Sequence, residues 1–146
     1  MQLGNNIKIT RVLNAVAAGT TDQQSAVLDM QGWDGVLFLA AFGTLTATQV
    51  TSLNAQQGTQ VGGGDMADLA GSKVGPLADG DSNKCLQLDV RRPLERYVRA
   101  VVDRGTANAV IDGVIAIQYS GRAAPALLAA SVAFAKAIVS PAEGTP

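Results

Sequence analysis

The chain has 146 residues, 47% of them hydrophobic but only 4% aromatic, with eleven basic residues against twelve acidic ones and no histidine. A net charge of -1 leaves no long-range field to gather polyanions across a Debye length of about 8–10 Å, which argues against a dedicated nucleic-acid binder. The absent histidine removes Ser-His-Asp and Cys-His catalysis and the usual zinc sites, and the single cysteine, Cys85, can form neither an internal disulfide nor a thiolate cluster.

The length suits one domain able to bury about two thirds of its unfolded surface. Residues 1–24 are read as an amino-terminal arm: Ile7 to Val16 is only loosely periodic, and GTTDQQ (Gly19 to Gln24) is turn chemistry. MQLGNNIKIT lacks a charged segment followed by an apolar run, and no stretch reaches the roughly 18 apolar residues of a membrane span, so a soluble, intracellularly made protein is expected. SAVLDM (Ser25 to Met30) is a short strand, and QGWDG a turn. GVLFLAAFGTL, Gly35 to Leu45, is a continuous apolar run bounded by glycine and reads as a strand covered on both faces. TATQVTSLNAQQG (Thr46 to Gly58) is a further strand whose faces the pattern does not assign. Gly58 to Asn83 holds seven glycines and is read as turns around one helical turn at Asp65 to Leu69.

The alternation is clearer in the second half. CLQLDV points Leu86, Leu88 and Val90 inward, which is the period-2 mark of a half-buried strand. Cys85 is taken as a buried free thiol. Pro93 breaks the run, after which RYVRAVVDRG sets Val98, Ala100 and Val102 against Tyr97, Arg99, Val101 and Asp103. GVIAIQYSG sets Val114, Ala116 and Gln118 against Ile115, Ile117 and Tyr119. Short strands with regular turn signals and no long amphipathic helix predict an all-β fold, an antiparallel sandwich or small jelly-roll-like barrel over residues 25–125, with arms at both ends. The tail 126–146 begins with fourteen nearly uncharged residues, Ala126 to Val139, which suit either a helix of about 21 Å or an extended arm.

Five of the eleven basic residues, Arg91, Arg92, Arg96, Arg99 and Arg104, fall between Val90 and Gly105. Asp89, Glu95, Asp103 and Asp112 are interleaved with them, whereas a phosphate groove needs unpaired cations. The five arginines are therefore candidate intersubunit or partner-protein contacts, with Arg96 or Arg99 paired to an acid. GGGDMADLAGSK fails the phosphate-loop pattern, because Gly71, Ser72 and Lys73 stand in the wrong order. ADGDSNK begins like a calcium loop, but Lys84 occupies the glycine position and Val90 the glutamate position. Asp65, Asp68, Asp79 and Asp81 read as turn formers, and Trp33 as a plug at the core edge. No catalytic set, cofactor or metal is expected.

The order of blocks adds a resemblance. DMQGWDGVLFLAAFGTLT (Asp29 to Thr46), then ADLAGS (Ala67 to Ser72), then NKCLQLDVRRPLERYVRAVVDRGTANAVIDGVIAIQYSGRAAP (Asn83 to Pro125) resemble the small head proteins of tailed bacteriophages, the capsid decoration or cement proteins. The likeness covers about Val27 to Pro125, is carried best by GWDGVLF and ERYVR, and extends to the SPAEGTP ending. It implies a β-rich domain that assembles as small oligomers, often trimers, on the outer surface of the capsid and clamps the major capsid protein, with no membrane and no direct nucleic-acid contact. Two other classes fit the same elements: a head-to-tail connector or tail-tube component, and a carbohydrate-binding surface-adhesion module.

Overall fold

Alternating sequence becomes alternating burial in Cys85–Arg91 and in residues 97–100. The computed structural model describes residues 2–122, 125–139 and 143, and its strands are β1 (Lys8–Leu13), β2 (Val16–Gly19), β3 (Gln23–Gln24), β4 (Leu28–Asp29), β5 (Gly35–Leu45), β6 (Ser52–Gly58), β7 (Ala67–Asp68), β8 (Cys85–Arg91), β9 (Tyr97–Asp103) and β10 (Ala109–Tyr119). They form two antiparallel sheets packed face to face, a β-sandwich. The first sheet runs β1-β10-β5-β8, with β2 continuing beside β10; the second runs β3-β9-β6-β7, with β4 beside β9.

The faces predicted for β9 and β10 hold, those of β6 had no assignment, and β5, expected to be covered on both faces, is covered by the chain's own core on one. Val36, Phe38, Ala40 and Phe42 of β5 and Val114 and Ala116 of β10 meet Leu53 and Ala55 of β6 and Val98, Ala100 and Val102 of β9, all essentially sealed from solvent. The inward phase of β10 changes part-way along: Ala109 and Ile111 are buried, then Val114, Ala116 and Gln118. A bulge causes this, since Ile111 opposes Phe42 and Gly113 opposes Ala41, so Asp112 is an extra residue. Gly113 takes φ +148 there, where glycine avoids a side-chain penalty.

Four other expectations need correction. Residues 8–24 are not an arm: β1 and β2 pair with the free side of β10, and β3 pairs with β9. A register shift between Arg11 and Leu13 interrupts β1 and accounts for its loose periodicity. Cys85 is exposed, because the parity that points Leu86 and Leu88 inward turns residue 85 outward. Ala67 and Asp68 are extended rather than helical. Asp65 folds the loop back by accepting the Thr59 and Gln60 amides, and Asp68 accepts the Asn54 and Gln56 side-chain amides. Arg104 is the fourth. It closes the inward series Val98, Ala100, Val102 and is only 7% exposed.

The tail from Ala126 to Val139 forms no helix. Its first part follows the outer edge of β1: Ala126 N–H donates to the Asn5 carbonyl at 2.8 Å, and Arg11 N–H donates to Ser131 Oγ at 3.1 Å. Ala129 is buried there.

Candidate functional site

The register brings three connections to one end of the sandwich. Gly35 opposes both Arg91 and Tyr119, and Asp29 opposes Tyr97, so the turns 30–34 and 92–96 and the segment after Tyr119 lie together. Backbone bonds join them: Met30 N–H to the Arg96 carbonyl, Arg92 N–H to the Asp34 carbonyl, and Arg122 N–H to the Gly32 carbonyl, all at 2.7–2.9 Å. Gln118, fully buried, donates its side-chain amide to the Asp29 carbonyl at 2.9 Å and so ties the two sheets at this end.

The arginines here are paired within the chain. Asp29 takes a bidentate pair from Arg96, Nε at 2.9 Å and Nη2 at 2.7 Å. Those bonds hold its carboxyl below the usual range, and the same aspartate pushes the Arg96 pKa up. Asp34 lies between Arg91 and Arg92, whose Nε atoms both donate at 3.3 Å, and its pKa is lowered chiefly by Arg91. The Arg96 guanidinium also rests 5.2 Å from the centre of the Tyr97 ring. Tyr119 donates its hydroxyl to Asp89 at 2.7 Å; partial burial first, and this bond second, push its pKa up to about 12. The Tyr119 ring occupies the space over Gly35, where any Cβ would collide with it.

A groove of about 440 Å³ runs between Trp33, Asp34, Arg92, Leu94, Glu95 and Arg96. A second hollow of about 260 Å³ adjoins it on the other side of Trp33, next to Lys8, Arg122 and Leu127. Trp33 packs against the core and against Gly121, where a Cβ would lie 2.7 Å from its ring. The expected role as a plug at the core edge agrees with this position.

The five arginines therefore separate. Arg91, Arg92 and Arg96 share this end, and the last of them has the predicted acid partner. Arg99 donates to the Gln56 side-chain oxygen at 2.7 Å across β9 and β6. Arg104 is at the opposite end. Its guanidinium donates to the carbonyls of Thr21, Ala17 and Ala109 at 2.7–3.0 Å, and its own amide donates to Asp22. It locks β2, the turn at Thr21 and Asp22 that leads into β3, and β10 together, so it is a structural clamp rather than an exposed contact.

Sequence reasoning missed the acids that hold the cluster. Asp29 and Asp34 lie 57–67 residues upstream of their arginines, and only the strand register joins them. For Arg104 a signal existed: it continues the i, i+2 inward series of β9.

The turn carboxylates serve the loops. Asp79 accepts the Thr48 amide, and Asp81 accepts the Ala78 amide and the Lys84 ammonium. Among the described residues no group of three His, Cys, Asp or Glu side chains is placed to hold a metal. No helix among them is long and apolar enough to cross a membrane.

The largest unmatched feature is apolar. Leu127 is 84% exposed, Phe134 95% and Val139 84%, and Leu128 and Ile138 are also exposed. Beyond the short run along β1, the tail leaves the sandwich uncovered. No family model matches the chain, and no curated protein is significantly similar to it.

Proposed function

We propose that the protein is a structural, non-enzymatic component of a tailed-phage virion, a decoration protein that binds the outer surface of the head as a small homo-oligomer, a trimer by the family resemblance, and stabilises it. The observation that carries this reading is the exposed apolar tail attached to a sandwich whose own core is already complete. Large contiguous apolar surface on a soluble domain marks an interaction site, and an extended segment is suited to lie on another protein.

The rest of the surface supports the same role. Each of the three arginines Arg91, Arg92 and Arg96 is paired with Asp29 or Asp34 inside the chain, two negative charges against three positive, which suits packing on protein better than capture of a polyanion. The strands and short turn bonds at that end hold Arg91, Arg92 and Arg96 in fixed positions, as a contact surface against the major capsid protein requires. Capsid sites repeat in symmetric arrays, so modest contacts add through avidity.

Mixing the purified protein with undecorated expanded heads and imaging the particles tests the proposal. New density on the outer surface, with a raised head disruption temperature, is the expected result. Unchanged particles with an unchanged disruption temperature would overturn it.

A further inference from the structure

β5 reads in the sequence as a strand covered on both faces, yet in the fold only one face is covered by the chain's own core. Direct cross-strand partners share a face of a sheet. On the outer face of the first sheet the register makes two rows: Ile9, Ile117, Leu37 and Asp89, then Arg11, Ile115, Leu39 and Gln87. Ile9 is exposed at 40%, and Leu37, Leu39, Ile115 and Ile117 are half-buried without packing against the core. The sandwich thus carries an apolar outer patch across its central strands, with Arg11 at one side and Asp89 at the other.

The same chain carries an apolar segment with nothing to cover it. Residues 133–139 read AFAKAIV, in which Phe134, Lys136 and Ile138 alternate with alanines, so an extended backbone places them on one side. They do not lie on their own patch, because Phe134 is 95% exposed and Ile138 and Val139 are exposed. Seven extended residues reach about 23 Å, more than the roughly 14 Å between the outermost strands of a four-strand face. Lys136 is complementary to Asp89 at the rim and repelled by Arg11 on the far side.

We infer that this patch is the docking surface for the tail of a second copy of the chain, with Phe134 and Ile138 packed on Leu37, Leu39, Ile115 and Ile117. The inference deepens the self-association part of the proposed function and does not depend on the capsid. A tail-to-face contact is head-to-tail, and such contacts close into rings when the rotation permits, which accommodates a trimer.

The test is the mass of the full chain in solution, measured by light scattering after size exclusion, without heads present. The wild type is expected to be a multimer. A tail variant, F134D/I138D, and a face variant, L37S/I117T, are each expected to be monomers. Mixing the two is expected to give a dimer, since one intact tail then meets one intact face. A monomeric wild type, a tail variant that keeps the wild-type mass, or a mixture that stays monomeric would each overturn the inference. If the face variant loses the wild-type circular dichroism, the tail variant alone decides, because its substitutions lie outside the folded core. Head binding is read separately, so its failure would leave this result standing.

Discussion

The sandwich body and the tail are built from the same small apolar residues and differ in where those residues end. In β5 and β9 alternate side chains are sealed between two sheets, with Phe38 and Val98 at 0% exposure; in the tail Phe134 is 95% exposed. Composition therefore does not decide burial. What decides it is pairing: β5 has hydrogen-bonded neighbours on both sides, while the tail after Val132 has no hydrogen bond among the described residues. An extended segment without a sheet cannot bury its own side chains, and this leaves the tail exposed.

The largest expected effect sharpens that contrast directly. Phe38→Ala should cost about 3–5 kcal/mol in chemical denaturation, whereas Phe134→Ala should stay within about 0.5 kcal/mol in the isolated chain. Equal losses would mean the tail belongs to the core. Next comes the clamp at the far end of the body. Arg104→Leu leaves three carbonyls without their donor and should cost about 2–4 kcal/mol, seen as a fall in Tm of roughly 5–15 °C. A neutral result would show that Arg104 does not hold β2 and the turn after it to β10.

Smaller effects come from titration at the polar end of the body, since Lys136 is the one ionisable residue between Ala126 and Val139. Tyr119 has a folded pKa raised to about 12 from 10, so its contribution is fully present below pH 10 and is lost as pH rises from 10 towards 12. Absorbance at 295 nm should show one tyrosine ionising late, and Asp89→Asn should bring that step down. The smallest effect is at Asp29. Its folded pKa is lowered from 3.8, so its contribution is present above that value and is lost as pH falls below it. Asp29→Asn should flatten the decline of Tm below about pH 4, and an unchanged acid limb would mean the Arg96 pair adds nothing.

The sandwich, the bounds of β5 and the inward faces of β8 and β9 were legible because period-2 burial is written in those stretches. Three things were hidden. The bulge at Asp112 switches the parity of β10, and alternation assigned on one side of it does not transfer to the other. The edge strand β1 is half exposed and interrupted, so residues 8–24 look irregular although β10 needs them. The arginine cluster looked like one surface, but parity sends Arg104 inward while the turn at Pro93 keeps Arg91, Arg92 and Arg96 at one end. Their aspartates are remote in sequence and come close only through strand register.

The central claim is that the tail is the part of the molecule that needs a partner while the core of the body is complete within the chain. Comparing the full chain with a chain ending at Ala130, for thermal unfolding and for binding to undecorated heads, tests it most directly. The account predicts a truncated protein that keeps the wild-type circular dichroism and still unfolds cooperatively, now as a monomer with a Tm lowered by the lost self-association, and that no longer binds heads. A truncated protein that decorates heads as well as the full chain, or one that fails to fold, would contradict it.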